Sequence, residues 1–154
     1  MTNGPRIDTE LKEYGIGLLR ISLGVMYLAH SVVLKYFTFT LAGSAQFFVS
    51  IGLPAWLSYA TFFAEVIGGV MLVLGVQGRW VALALSPILL GALFSAHLSN
   101  GWVFTAPGGG WEYPAYLFVL SIAQFLLGDG ALALKPSRPL SSLSSRTWSS
   151  LAFG

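Results

Sequence analysis

The chain has no cysteine and very little charge. Lys and Arg number eight and Asp and Glu six, so 9% of its 154 residues are charged, against about 25% in an ordinary soluble domain. Without cysteine there are no disulfides, no thiol redox chemistry and no Cys-held iron–sulfur or zinc site. Electrons passing through this protein would need a bound carrier. The net charge of +2 comes from scattered bases, which is no electrostatic footprint for nucleic acid. No G-x-S-x-G or H-E-x-x-H hydrolytic motif is present. The "GGG" at 108–110 precedes no Lys-Ser/Thr pair and follows no strand, so it is no phosphate cradle. There is no internal repeat, and no metal site is assigned.

What the chain does have is apolar bulk. Hydrophobic residues make up 55% of it and the mean hydropathy is +0.74, gathered into long blocks. About 20 apolar residues cross a bilayer as a helix. The expectation is an all-α membrane protein, a bundle of four transmembrane helices over residues 15–134. The spans are placed at about 15–35, 55–76, 80–98 and 113–128. Pro54 opens the second and the "QGR" turn closes it, Pro87 is a kink site in the third, and "GDG" at 128–130 ends the fourth. That last span is short and would need local thinning of the bilayer or help from its neighbours.

The first 14 residues, "MTNGPRIDTELKEY", are polar and do not resemble a cleavable signal. Residues 135–154, "KPSRPLSSLSSRTWSSLAFG", are rich in Ser and Pro, and we expect a disordered tail. The alternative is an interfacial segment through Leu140, Leu143, Trp148 and Leu151. Arg6, Lys12, Arg79, Lys135, Arg138 and Arg146 fall on one side of the four spans and Lys35 alone on the other. The positive-inside rule then places both termini in the cytoplasm, with loops 36–54 and 99–112 outside.

Glu65 sits inside the apolar run "TFFAEVIGGVMLVLG", about 15 Å below the outer surface at 1.5 Å per residue. A mid-membrane carboxylate costs about 2.5–3.5 kcal/mol on insertion scales, so it should face the bundle interior and find a partner. Glu65 shares a helical face with Phe62, Gly68, Gly69 and Leu72. Arg20, Gly24 and Tyr27 share a face of the first helix, so Arg20 is a partner within reach. The open alternatives are a protonated Glu65 bonded to a backbone carbonyl and an Arg20 that snorkels to the interface. Ala64 with Gly68, and Gly91 with Ser95, have small-xxx-small spacing, a sign of close helix packing. His30, Lys35, His97, Asn100 and Glu112 can gather in the outer half. We assign Glu65, His30 and His97 as the candidate catalytic groups, moving protons, with Arg20, Lys35, Asn100 and Glu112 as candidate cofactor-binding groups. Two histidines on adjacent helices can ligate haem, but one pair among four helices is a weak signal and haem is not the expected cofactor.

As a set, "LLRISLGVMYLAHSVVLKYF", "FFVSIGLPAWLSYATFFAEVIGGVMLVLGVQGRW", "AHLSNGW", "GGGWEYPAYLFVL" and "LLGDGALAL" resemble the DoxX family of small bacterial and archaeal membrane proteins. The resemblance covers about residues 16–134. It is carried by Arg20, Gly24, His30, Lys35, Gly52, Leu53, Pro54, Glu65, Gly68, Gly69, Arg79, His97, Asn100, Gly101, Glu112, Gly128 and Gly130. Ser31 departs from the Gly that usually follows the histidine. The resemblance implies a multi-pass protein of the bacterial or archaeal cytoplasmic (inner) membrane. It also implies a redox setting, since relatives of the DoxD group are subunits of a thiosulfate:quinone oxidoreductase and others are described as membrane partners of soluble redox or stress-response enzymes.

The expected function is therefore a membrane subunit of a respiratory or stress-related redox system that binds quinone non-covalently, a subunit of an oxidoreductase rather than a stand-alone enzyme. One alternative is a non-catalytic scaffold that recruits a partner redox enzyme. Another is a small-solute transporter, which in so short a chain would require oligomerisation. The expected partners are membrane lipid and either a protein partner or further copies of the chain.

Overall fold

The computed structural model describes residues 4–140, and these form helices, with one isolated bridge between Val76 and Lys135. Helix α1, Gly4–Leu28, runs without a break into a π-helical segment, Ala29–Thr38. Helix α2, Leu41–Ser50, follows, then α3, Ala55–Leu74. Helix α4, Gly78–Ala92, continues through a π turn, Leu93–His97, and a 3-10 turn, Leu98–Asn100. Helix α5 is Glu112–Leu127. Three helices, Ile7–Thr38, Ala55–Leu74 and Gly78–Asn100, are long and apolar enough to cross a membrane, and α5 is apolar but shorter.

The ends of these helices follow from local chemistry. Pro54, extended at ψ 140°, is the N-cap of α3. Gly75, left-handed at φ 69°, closes that helix: its N–H donates to Leu72 O while Val76 N–H donates to Met71 O, a Schellman cap. Helix α2 lies within residues 36–54, a stretch the sequence assigns to an outer loop. Thr40 starts it by accepting from Gly43 N at 3.1 Å, and ten residues are too few to declare a period in sequence.

The surface is apolar and much of the interior is polar. Phe37, Phe63, Ile67, Phe94 and Val119 are exposed, whereas Arg20, Ser31, Glu65, Ser121 and Gln124 are buried. An exposed apolar coat of this extent is surface for lipid contact. A small apolar core of Leu23, Tyr27, Leu72, Val81, Ala82, Leu85 and Leu89 ties the helices together. Helix α1 packs chiefly on α3, and α4 chiefly on α5. The α1–α3 crossing is glycine on glycine: a Cβ on Gly24 would lie 2.8 Å from Gly69 O, and one on Gly69 would lie 3.0 Å from Gly24 O. Backbones this close bring the facing side chains of α1 and α3 within reach of one another.

At one end of the bundle, α1, the α3–α4 turn and the chain after α5 meet. Ala131 N donates to Glu13 O, Leu134 N to Leu74 O and Gln77 N to Lys135 O. Of the expected disordered tail, Lys135, Ser137 and Arg138 are held here, Ser137 N donating to Asp129 Oδ2 and Arg138 O accepting from Arg79 Nη1. The proposed interfacial segment from Leu143 to Leu151 lies outside the described residues.

Candidate functional site

Glu65 faces inward, 3% exposed, on the same buried stripe of α3 as Ser58, Gly68, Gly69 and Leu72. Its partner is Lys35 and not Arg20. Lys35 Nζ lies 2.7 Å from Glu65 Oε2, and Ser31 Oγ lies 2.9 Å from the same oxygen. The π segment of α1 places both donors. At 100° per residue, Tyr27 and Lys35 would drift about 80° apart around an α-helix. The wider i→i+5 turn, seen in Phe39 N donating to Leu34 O, keeps residues four apart more nearly in line. Tyr27, Ser31 and Lys35 are accordingly all buried. Ser31 has one hydroxyl proton and two acceptors, Glu65 Oε2 and, at 2.6 Å, Tyr27 O. The Ser31 hydroxyl is thus a neutral third group beside the Lys35–Glu65 ion pair.

Arg20 is occupied elsewhere. Its guanidinium donates to Leu72 O and Val73 O at the end of α3, and to Asp129 O and Ala131 O beyond α5. The last carbonyls of a helix lack intrahelical donors and favour a cation, so Arg20 is drawn to the end of α3. Leu72 is seven residues past Glu65, about 10 Å along the axis. Arg20 is therefore a clamp on that end of the bundle, remote from the histidines. Asp129 completes the clamp, accepting from Arg79 N at 3.1 Å through Oδ1.

His30, Glu65 and His97, from α1, α3 and the π turn after α4, line one cavity of about 270 Å³. Most of its wall is apolar, with Leu23, Ile88, Leu89 and Leu117, and Tyr27 and Tyr113 add two hydroxyls. His97 Nδ1 lies 2.9 Å from Gly109 O. A carbonyl only accepts, so Nδ1 carries the proton and a neutral His97 keeps Nε2 as an acceptor. Glu65 Oε2 is engaged by Lys35 and Ser31, while Oε1 has no hydrogen-bond partner among the described residues.

Asn100 and Glu112 do not line this cavity; they hold the loop that covers it. Asn100 Nδ2 lies 3.0–3.1 Å from the carbonyls of Ala96, Gly108 and Gly109. Glu112 Oε2 accepts from Phe104 N at 3.2 Å. The loop folds on itself, with Gly110 N donating to Val103 O and Trp111 N to Gly101 O, and it brings Phe104, Gly109 and Gly110 onto the cavity wall. No group of three or more His, Asp or Glu side chains suited to a metal ion occurs among the described residues.

Three groups at the site escaped the sequence reading. Ser31 was visible only as a departure from the family pattern, and Tyr27 only as a neighbour of Arg20 on one face. Tyr113 is the third: its hydroxyl donates to Met26 Sδ at 3.3 Å across the cavity's edge.

Comparison with known proteins places the chain in a family. The family model described as DoxX matches residues 15–98. A Bacillus subtilis (strain 168) protein named "Putative oxidoreductase CatD" is 34% identical over 124 residues, 80% of this chain and 87% of that protein. No solved structure matches the chain. The matched segment runs from the start of the first apolar block to just past His97 and includes Arg20, His30, Lys35 and Glu65, and with more than half its length matched the chain belongs to the DoxX family.

Proposed function

We propose that this protein is a subunit of a redox system in the bacterial or archaeal cytoplasmic membrane, and that it holds a quinone head group in the cavity beside His30, Glu65 and His97. One observation carries the reading: ionisable groups from three helices converge on one mainly apolar cavity of ring-sized volume. A quinone ring is flat and apolar with two carbonyl acceptors, and such a wall with a few placed polar groups suits it. When bound, a quinone supplies two-electron, two-proton redox chemistry. The chain's part is to orient the ring, exclude water and handle protons. His30 and Tyr113 supply hydrogen-bond donors at the rim, His97 Nε2 is free to exchange a proton, and Glu65 can hold one at Oε1 while Lys35 and Ser31 fix Oε2. Low local dielectric strengthens each of these contacts. The oxidoreductase name of the Bacillus relative is consistent with a redox role.

The same reading takes α5 as a fourth, short span, with both termini on the cytoplasmic side and the 101–111 loop outside. Quinone titration of purified protein tests the site. Wild type is expected to bind at least tenfold more tightly than Glu65→Gln or His30→Ala, about 1.4 kcal/mol, and equal affinities would end the assignment. The completeness of the Lys35–Glu65 pair supports a second reading, a scaffold for a partner enzyme in which the pair only locks the bundle. Replacing both residues by Met separates the two. Unchanged quinone binding and unchanged activity of the parent complex would mark the pair as architectural.

A further inference from the structure

Resting on the quinone reading, the cavity's walls also indicate the route by which its ligand arrives. On the loop side the wall is braced by hydrogen bonds, Asn100 on three carbonyls, His97 on Gly109 and Glu112 on Phe104 N, and Phe104, exposed there, rides on a loop that moves only if these bonds break. The seam between α1 and α5 is different. These helices meet midway through Tyr27 OH and Ser121 Oγ at 3.2 Å. Toward the loop end, their polar contact is Tyr113 OH on Met26 Sδ at 3.3 Å, and a thioether is a weak acceptor. Met26, His30 and Tyr113 all line the cavity, yet Met26 is only half-buried and His30 and Tyr113 are exposed. Side chains that are at once cavity wall and outer surface stand at an opening. The surface around that opening, with Val33 and Tyr116 exposed, is apolar.

We infer that the cavity exchanges its ligand sideways with the bilayer, through the seam that Met26 and Tyr113 close. The ligand class is then a membrane-dissolved amphiphile whose polar ring enters the cavity while its apolar tail stays among the lipids. Exposed side chains change rotamer in picoseconds to nanoseconds, so turning Tyr113 off Met26 opens the seam without unfolding the pinned loop.

The absence of native cysteine allows a direct test. Met26→Cys with Tyr113→Cys, in the full chain in liposomes, is bridged by a short bis-methanethiosulfonate reagent that a thiol reductant removes. Association of a short-chain benzoquinone is followed by quenching of tryptophan fluorescence. Bridging is expected to slow association and dissociation together by roughly tenfold or more, and reduction to restore both. Met26→Trp, which crowds the seam without a reagent, should slow both rates in the same direction. Unchanged rates in the bridged and Trp-substituted proteins would overturn the lateral route and leave quinone binding standing. No quenching even in wild type would remove both, the binding assignment being the one that had failed.

Discussion

At the scale of single residues, the decisive feature is which cation answers Glu65. Arg20 and Lys35 flank Tyr27 on α1, seven residues before it and eight after. The sequence suggested Arg20 because it shares a face with Gly24 at the crossing. The competition was settled by unsatisfied carbonyls: the end of α3 offers Arg20 acceptors for which a planar five-donor guanidinium is well shaped, and Lys35 is left for the carboxylate. Removing one partner of a buried pair costs about 3–5 kcal/mol, so Lys35→Met should destabilise the bundle by that order. A double-mutant cycle checks the pairing. Lys35→Met with Glu65→Met should be coupled by more than about 1 kcal/mol, whereas Arg20→Met with Glu65→Met should be additive within about 0.5 kcal/mol. Chemical denaturation in detergent micelles measures both, and a large Arg20–Glu65 coupling would contradict the pairing.

At the scale of elements, the apolar blocks announced the long helices and the inward turn of Glu65, because a buried charge and two glycines on one face allow few other placements. Other glycine signals did not reveal their direction. Gly91 and Ser95 have the same small-xxx-small spacing as Ala64 and Gly68, yet a Cβ on Gly91 meets nothing within 4 Å, whereas one on Gly68 would sit 2.7 Å from Leu85 Cδ1. Spacing defines a stripe on a helix but not which way the stripe faces. The π segments were equally invisible, since i→i+5 bonding leaves no mark in composition, although they carry His30, Ser31, Lys35 and His97. The contrast yields a prediction. Gly24→Val should force α1 and α3 apart at a cost of about 1–3 kcal/mol and weaken quinone binding by separating Lys35 from Glu65. Gly91→Val should leave both nearly unchanged. Thermal stability and quinone titration on the two variants decide it, and equal effects would show that the Gly24–Gly69 contact does not set the site.

At the scale of the molecule, the arrangement is polar within and apolar without, and its two ends differ in kind. One end gathers Glu13, Arg20, Arg79, Asp129 and Lys135 around the start of α1, the α3–α4 turn and the end of α5. The other carries the folded loop 101–111 with its paired Trp102 and Trp111 rings, centroids 4.3 Å apart. Contacts that bring Glu13, Gln77 and Ala131 together require α1, α3, α4 and α5 to run alternately from end to end. If α1, α3 and α4 each cross the bilayer, α5 must return the chain to the side where it began, although 16 residues span only about 24 Å against a hydrocarbon core of about 30 Å. The bilayer must then thin locally, or neighbouring chain make up the difference, at fractions of a kcal/mol per Å of mismatch. Single cysteines placed in the cysteine-free chain test this arrangement in intact cells. With the basic end in the cytoplasm, Lys12→Cys and Lys135→Cys should resist a membrane-impermeant maleimide until the cells are opened, and Thr105→Cys should react from outside at once. Labelling of Lys135→Cys from outside while Lys12→Cys stays protected would place the ends of α1 and α5 on opposite sides, and the fourth crossing would have to be abandoned.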